Sequence, residues 1–431
     1  MSRNAFSLSS ADHRHLWHPF TQQQEWCATE PLIIVSGEGV ILRDIHGQEY
    51  LDGNSSIWTN IHGHAHPHIV EAIARQAATL DHTSFLGTTH PKAIELAERL
   101  VSLFPREPLP RVFFSDNGST AIEAALKITL QYWQLSGLSE RNRFVAFTNG
   151  YHGDTAGAAS LCGISLFAGR FAGMHFPVEL VSNMAMLESF PHPETIAAIV
   201  IEPLIQGAAG MRLWPQGMLK ELRSFCDRTG ILLILDEVMT GFGRTGSMFA
   251  CQREDVVPDL LALAKGITGG TLPLAATMAT EKIYSAFLGT YEEQKTFYCG
   301  HSYTANPIGC AAALASLDVF EQESVLAKLP AKIDHFTNSL ARLEELPCVA
   351  EIRQCGLIAG IEVIHPQNQI PFPWQDQIGA KICNAARKHG LLTRPVRDTI
   401  VLMPPLCITE EQISQMVEAL RTCLDNLLGL R

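Results

Sequence analysis

Short apolar runs alternate with amphipathic stretches over most of the chain. RVFFS (111–115) leads into the helix-like TAIEAALKITLQYWQ (120–134), and FVAFT (144–148) and AAIVIEP (197–203) read as further strands. The helix-like GMLKELRSFCDRTG (217–230) runs into ILLILD (231–236), and LLALA (260–264) comes after it. Such alternation predicts an α/β domain with a mainly parallel central sheet. The near-continuous apolarity of ILLIL suits strands covered by helices on both faces.

The pattern changes towards both ends. Residues 32–53, LIIVSGEGVILRDIHGQEYLDG, read as short antiparallel strands joined by Gly-containing turns. From about residue 325, helices are interrupted by the short strands LIAGIEVI and TIVLMP and close in EEQISQMVEALRTCLDNLL. The expected organisation is a large α/β domain over 61–324 and a smaller α+β domain assembled from residues 1–60 and 325–431.

Composition narrows the function classes. With 431 residues, 46% hydrophobic and 18% charged, the chain has an ordinary globular balance and room for two domains. A formal charge of −12 without a basic stripe argues against nucleic-acid or anionic-membrane partners. The opening MSRNAFSLSSADHRHLWHPF has neither an apolar signal core nor an arginine-rich amphipathic pattern, so a cytoplasmic location is expected. Eleven scattered cysteines without a C-x-x-C pair read as reduced thiols filling core space.

The chemistry concentrates where apolar runs end in charge. ILLILDEVMTGFGRTG (231–246) carries Asp236 and Glu237 out of a buried strand, with Gly241, Gly243 and Gly246 in G-x-G-x-x-G spacing. A dinucleotide loop needs its first glycine at the strand end, a helix after the last and an acid closing a second strand. DEVMT intervenes here, Pro258 breaks the segment after Gly246 and Asp259 precedes a strand, so a nicotinamide-dehydrogenase reading fits poorly. LLALAK delivers Lys265 in the same manner. A lysine there is costly to bury charged, and a neutral amine suits Schiff-base chemistry, although a lysine reaching solvent past the strand end fits as well. Pyridoxal phosphate chemistry needs that lysine, an acid at the pyridine nitrogen such as Asp236, and a phosphate seat. FFSDNGSTAIEAALK (113–127) offers the seat, with the Gly118 and Ser119 N–H groups at a helix start. A Thr120–Glu123 capping box fits the same turn.

VIEPLIQGAAGM, LILDEVMTGFGRTG, LALAKGITGG and GHSYTANP together resemble the class-III aminotransferases, pyridoxal phosphate enzymes of fold type I, over nearly the whole chain. HLWHPF (15–20), DGNSSIWTNIHGHAHP (52–67), NGYHGDT (149–155) and RPVRDTIVLMPP (394–405) are similar to the branch that aminates 7-keto-8-aminopelargonic acid in biotin biosynthesis. The resemblance implies that Lys265 forms the Schiff base and carries the proton, and that Asp236 pairs with the pyridinium nitrogen. It places Val238 and Tyr151 against the two ring faces, and Gly118 and Ser119 at the phosphate. Ser302, with His301 beside it, stands where the family usually has a threonine that reaches the neighbouring subunit's phosphate, which implies a homodimer. Phe20, Ile57, Trp58, Tyr151 and Gly300 are implied at the substrate, as is Arg394 for its carboxylate, with Arg397 the alternative. Arg244 is a rim candidate or a structural partner, and Glu202 and Gln206 are cofactor neighbours or loop supports.

His62, His64, His66 and His68 invite a metal reading that amino transfer does not need, and no metal is expected. Members that take the amino group from S-adenosylmethionine usually have two tryptophans where this chain has Ile57-Trp58, and Pro-Thr where it has His301-Ser302. The expected donor is S-adenosylmethionine by family default, with lysine as the alternative. Rival readings are an ornithine, acetylornithine or 4-aminobutyrate aminotransferase, a dehydrogenase, and a noncatalytic scaffold.

Overall fold

The computed structural model describes residues 4–427. Its centre is a seven-stranded sheet in the spatial order Arg111–Ser115, Ala275–Ala279, Leu260–Leu263, Leu232–Asp236, Ile196–Ile201, Arg143–Phe147 and Val178–Val181. All neighbours pair in parallel except Ala275–Ala279, which runs antiparallel to both of its neighbours. The apolar pattern does not single out that strand, whose residues, AATMA, are mostly small. The fold is α/β with a mainly parallel central sheet.

The central strands show why the sequence is apolar without alternation. Leu233 and Leu235 face one cluster of buried side chains that includes Cys310 and Ala312, while Leu232 and Ile234 face another that includes Ala121, Ile122 and Ala125. Successive side chains point to opposite faces, so a sheet covered on both faces needs an apolar residue at every position. The covering helices are Pro307–Gln322 on one face and Gly118–Leu135 on the other. Burying each such leucine contributes roughly 1.5–3 kcal/mol.

The two chain ends meet in a smaller sheet. Ile34–Glu38, Ile41–Asp44 and Glu49–Asp52 form antiparallel pairs, and Leu391–Leu392 adds in parallel to Glu49–Asp52. A second four-stranded sheet holds Val349–Cys355, Ile358–Val363, Thr399–Leu402 and Arg394–Val396. Ser324 adopts φ 51° and turns the chain from helix Pro307–Gln322 into helix Val325–Glu344. All eleven cysteines carry free thiols and eight are buried, as space-filling residues would be. No described helix is long and apolar enough to cross a membrane.

Candidate active site

Four adjoining parallel strands end on one edge of the large sheet, and each delivers a polar group there. Tyr151 and His152 lie just beyond Arg143–Phe147, Glu202 beyond Ile196–Ile201 and Lys265 beyond Leu260–Leu263, while Asp236 closes Leu232–Asp236. Register makes them neighbours, since Leu235 lies opposite Ile201 and Asp236 opposite Ala262. The carboxyl ends of parallel strands are where open α/β sheets place ligands.

Asp236 is buried; one of its oxygens accepts the Val238 N–H at 3.0 Å and the other lies 2.7 Å from His152 Nδ1. Burial works to depress the His152 pKa, but the hydrogen bond and charge of Asp236 win and raise it above the usual imidazole value. His152 thus sits beside Asp236 as a hydrogen-bonding partner. The motif NGYHGDT contains this residue, yet the sequence alone assigns it no task. Glu202 accepts the N–H groups of Tyr151 at 3.2 Å and Gly207 at 3.0 Å, and burial lifts its pKa to about 7. Gln206 donates to the Thr148 carbonyl at 2.9 Å, which supports the turn before Tyr151.

Lys265 begins a short 3-10 turn with φ 44°. Burial pushes its amine below the ordinary lysine pKa, against the attraction of Asp236 and Glu202, and Arg244 pushes in the same direction as burial. The amine lies 5.1 Å from the centre of the Trp58 ring. Burial favours the neutral, nucleophilic form of this amine, and the two carboxylates oppose it.

The turn before helix Gly118–Leu135 completes the constellation. The expected Thr120–Glu123 capping box is not formed. Asn117 is the cap instead: its Oδ1 accepts the Thr120 N–H at 3.1 Å, and the Thr120 hydroxyl accepts the Asn117 N–H at 3.0 Å. The N-terminal position of Asn117 wins because the helix starts two residues before Thr120, and Glu123 turns to the Gly157 N–H at 2.6 Å. First-turn N–H groups such as those of Gly118 and Ser119 have no intrahelical acceptor and suit an anion. A Cβ on Gly118 would stand 2.6 Å from Val238 Cγ1, so only glycine lets the turn approach Val238. The Ser119 hydroxyl accepts the Asp154 N–H at 3.1 Å, which folds the Tyr151 loop onto the same turn.

Tyr151, Phe20 and Trp58 are tied to this group through ring contacts. Burial, with the Asp154 carboxylate, raises the Tyr151 phenol pKa. Its ring packs edge-on against Phe167 at 5.9 Å, and Phe167 against the exposed Phe20 at 5.7 Å. Ile57 is exposed and Trp58 half-buried. Arg394 is exposed at the start of a strand whose partner runs into Met403, and the Met403 carbonyl accepts the Ser55 hydroxyl at 2.6 Å. Arg397 is also exposed, in the next turn, with φ 55°. Gly300 and Ser302 are exposed, and His301 Nδ1 lies 2.8 Å from Asp116, next to the Asn117 cap.

The remaining motifs resolve into packing. Gly243 and Gly246 take φ 87° and 99°, and a Cβ on Gly243 would strike Leu406 at 2.7 Å, so the triplet makes tight buried turns. Arg244 is fully buried and donates to the carbonyls of Pro404 at 2.7 Å and Asn60 at 2.6 Å, with burial lowering its pKa to about 9. Glu237 accepts the N–H groups of Ala250 and Cys251 at 2.7 and 2.8 Å, which explains a second carboxylate beside Asp236. The histidine run diverges: His62 meets Ser316, His64 Asp52, His66 Glu323 and His68 Asp318.

The family model for aminotransferase class-III matches residues 23–424. The chain is 46% identical to the adenosylmethionine-8-amino-7-oxononanoate aminotransferase of Geobacter sulfurreducens, covering 98% of each. The crystal structure of the Methanocaldococcus jannaschii protein of the same name superposes with a TM-score of 0.95 at 39% identity, covering 97% of this chain and 99% of that one. An amine transaminase from an uncultivated Pseudomonas species, solved in its PLP-bound form, matches with a TM-score of 0.90 at 34% identity, over 95% and 98% of the two chains.

Proposed function

The chain belongs to the class-III aminotransferases, and on that footing we propose that it uses pyridoxal phosphate to convert 7-keto-8-aminopelargonic acid (8-amino-7-oxononanoate) into 7,8-diaminopelargonic acid, a step of biotin biosynthesis, with S-adenosylmethionine as amino donor. The observation that carries the chemistry is the row of strand ends bearing His152, Glu202, Asp236 and Lys265. The substrate rests on the relatives' names.

The residues present fit the cofactor. Gly118 leaves a cradle that any Cβ would fill, the helix start offers backbone donors for a phosphate, and a buried carboxylate with a histidine behind it suits a protonated ring nitrogen. When bound, pyridoxal phosphate supplies an aldehyde for capturing amines and a ring that withdraws electrons from the adjacent carbon.

The protein's own groups do the rest. Gly118 and Ser119 hold the phosphate, and Ser302 of one subunit reaches that of its neighbour in a homodimer. Asp236 keeps the proton on the ring nitrogen, and His152 fixes the carboxylate's orientation. Val238 and Tyr151 confine the ring from its two faces. Lys265 would hold the cofactor through its aldehyde, and its freed amine would act as the base that removes the proton at the donor's Cα and, in the second half of the cycle, as the acid that supplies a proton at the acceptor's former keto carbon. Arg394 binds the keto acid's carboxylate, for which a planar two-pronged donor is suited. Phe20, Ile57, Trp58, Gly300 and His301 line the substrate side and exclude water. Donor and acceptor use one site in turn, so the kinetics should be ping-pong.

The test is an assay of the purified enzyme with 7-keto-8-aminopelargonic acid and either S-adenosylmethionine or lysine. Diamine formation with S-adenosylmethionine supports the reading, formation with lysine alone replaces the donor, and an inert keto acid removes the substrate assignment. Lys265→Ala should lower turnover by at least ~10²–10⁴-fold and prevent borohydride from fixing the cofactor to the chain. Steady-state transamination by that variant would overturn the mechanism.

A further inference from the structure

The loop that carries Trp58 is bent against the preferences of its own residues. Ser55, Ser56 and Trp58 have φ values of 48°, 62° and 64°, a region that side-chain-bearing residues rarely occupy. Backbone of this kind persists only where its surroundings over-determine it, and it gathers at functional sites. One buried carboxylate does much of that work. Asp52 is 1% exposed; its Oδ1 accepts the Asn54 N–H at 3.1 Å and its Oδ2 accepts the Ser56 N–H at 2.8 Å. The same Oδ2 lies 2.9 Å from His64 Nε2.

The network continues in both directions. His64 is fixed by a backbone pair with Gly39, donating at 2.7 Å and accepting at 3.1 Å, and a Cβ on Gly37 would stand 2.8 Å from its own Cβ. Asn54, held by Asp52, accepts the Trp58 indole N–H at 3.0 Å. The indole face then lies 5.1 Å from the Lys265 amine. His64 belongs to the histidine run that amino transfer leaves unused, and its ring is committed to Asp52.

We propose that Asp52 and His64 are positioning residues that set the Trp58 indole over Lys265 and so determine how tightly substrate is held. The chain of contacts is Gly39 to His64, His64 to Asp52, Asp52 to Asn54 and Ser56, and Asn54 to Trp58. Neither residue touches the reacting atoms; both act through the indole. The effect on substrate rests on the proposed transaminase function, whereas the placement of Trp58 does not.

The test joins kinetics with an optical measurement on Asp52→Asn, His64→Gln, Trp58→Phe and the Asp52→Asn/Trp58→Phe double variant. Asp52→Asn should raise KM for the keto acid ~5–10-fold with kcat within ~2-fold, and the double variant should match Trp58→Phe alone. The Trp58 contribution to fluorescence, obtained by subtracting the Trp58→Phe signal, should become more open to acrylamide quenching in Asp52→Asn and in His64→Gln. Additive KM effects, or quenching unchanged in both variants, would overturn the proposal. If Asp52→Asn does not fold, His64→Gln supplies both readouts through the same contact. A wild-type enzyme without transaminase activity removes the function reading alone, because the quenching comparison needs no turnover.

Discussion

His152 Nδ1 lies 2.7 Å from Asp236 Oδ2 with both side chains buried, so the carboxylate assigned to the cofactor nitrogen is held in place by an imidazole. The His152 pKa is raised in the folded protein, so the stability it contributes is complete below the ordinary imidazole value and is lost as pH rises through the raised one. His152→Gln should therefore be most destabilised relative to wild type at low pH, with the gap closing towards alkaline pH in urea melts. It should also weaken cofactor retention ~10-fold, the equivalent of one hydrogen bond to a charged group, measured by absorbance titration.

His62 has the opposite sign. Burial pushes its pKa down to about 3, the nearby charge of His66 pushes it down further, and its ring meets the Ser316 hydroxyl at 3.0 Å. A depressed imidazole contributes stability above its unfolded pKa and loses it as pH falls towards the folded one. Relative to wild type, His62→Gln should gain about 2 kcal/mol between pH 7 and pH 5, read from the pH dependence of denaturant midpoints. Parallel pH profiles for the two proteins would contradict this.

Arg244 bonds two carbonyls from distant parts of the chain, Asn60 and Pro404. A lysine has a single compact head and cannot span both. Arg244→Lys should cost about 1–3 kcal/mol in urea unfolding at an unchanged m value, because one buried carbonyl goes unpaired.

Ser302 is exposed in a single chain, as a residue serving a second subunit would be. Ser302→Ala should raise the cofactor dissociation constant ~10-fold, one hydrogen bond's worth. Mixing Ser302→Ala with Lys265→Ala subunits gives a sharper reading. If Ser302 serves the partner, the mixed dimer has one intact site and one lacking both groups, whereas if it serves its own chain one site lacks only the serine and the other only the lysine. Activity per Lys265-bearing subunit then rises to the wild-type level at low cofactor, because that subunit's phosphate meets an intact Ser302 from the Lys265→Ala chain. If Ser302 serves its own chain, the mixture keeps the weakened cofactor affinity of Ser302→Ala.

Much of the site is legible in the sequence because burying charge is costly. Asp236 and Lys265 each interrupt an apolar run at the point where the strand leaves the core, and a one-dimensional pattern shows that. The glycine triplet is legible as a turn for a similar reason, since the residues around it do not fit a helix. His152 is not legible: it lies between Tyr151 and Gly153 in a loop, and its partner is Asp236, reached only through the sheet. Asp52 and Glu237 are hidden in the same way, since each is defined by N–H groups that folding brings to it. The helix cap departs from expectation because Asn117 and Thr120 both suit a helix start, and only backbone geometry decides between them. The antiparallel strand Ala275–Ala279 escapes the pattern because its small residues carry little periodic signal.

The pairing of Leu51 with Leu391 has a consequence for how the protein is made. The hairpins around Leu51 leave the ribosome before the partner that completes their sheet, Leu391–Leu392, which is translated roughly 340 residues later. At ~5–20 residues per second the nascent hairpins wait on the order of tens of seconds with an open edge, a long exposure for a segment able to pair with a neighbour on the same polysome. Chaperone demand during synthesis should therefore track this amino-terminal edge more than the large apolar sheet, whose strands arrive close together.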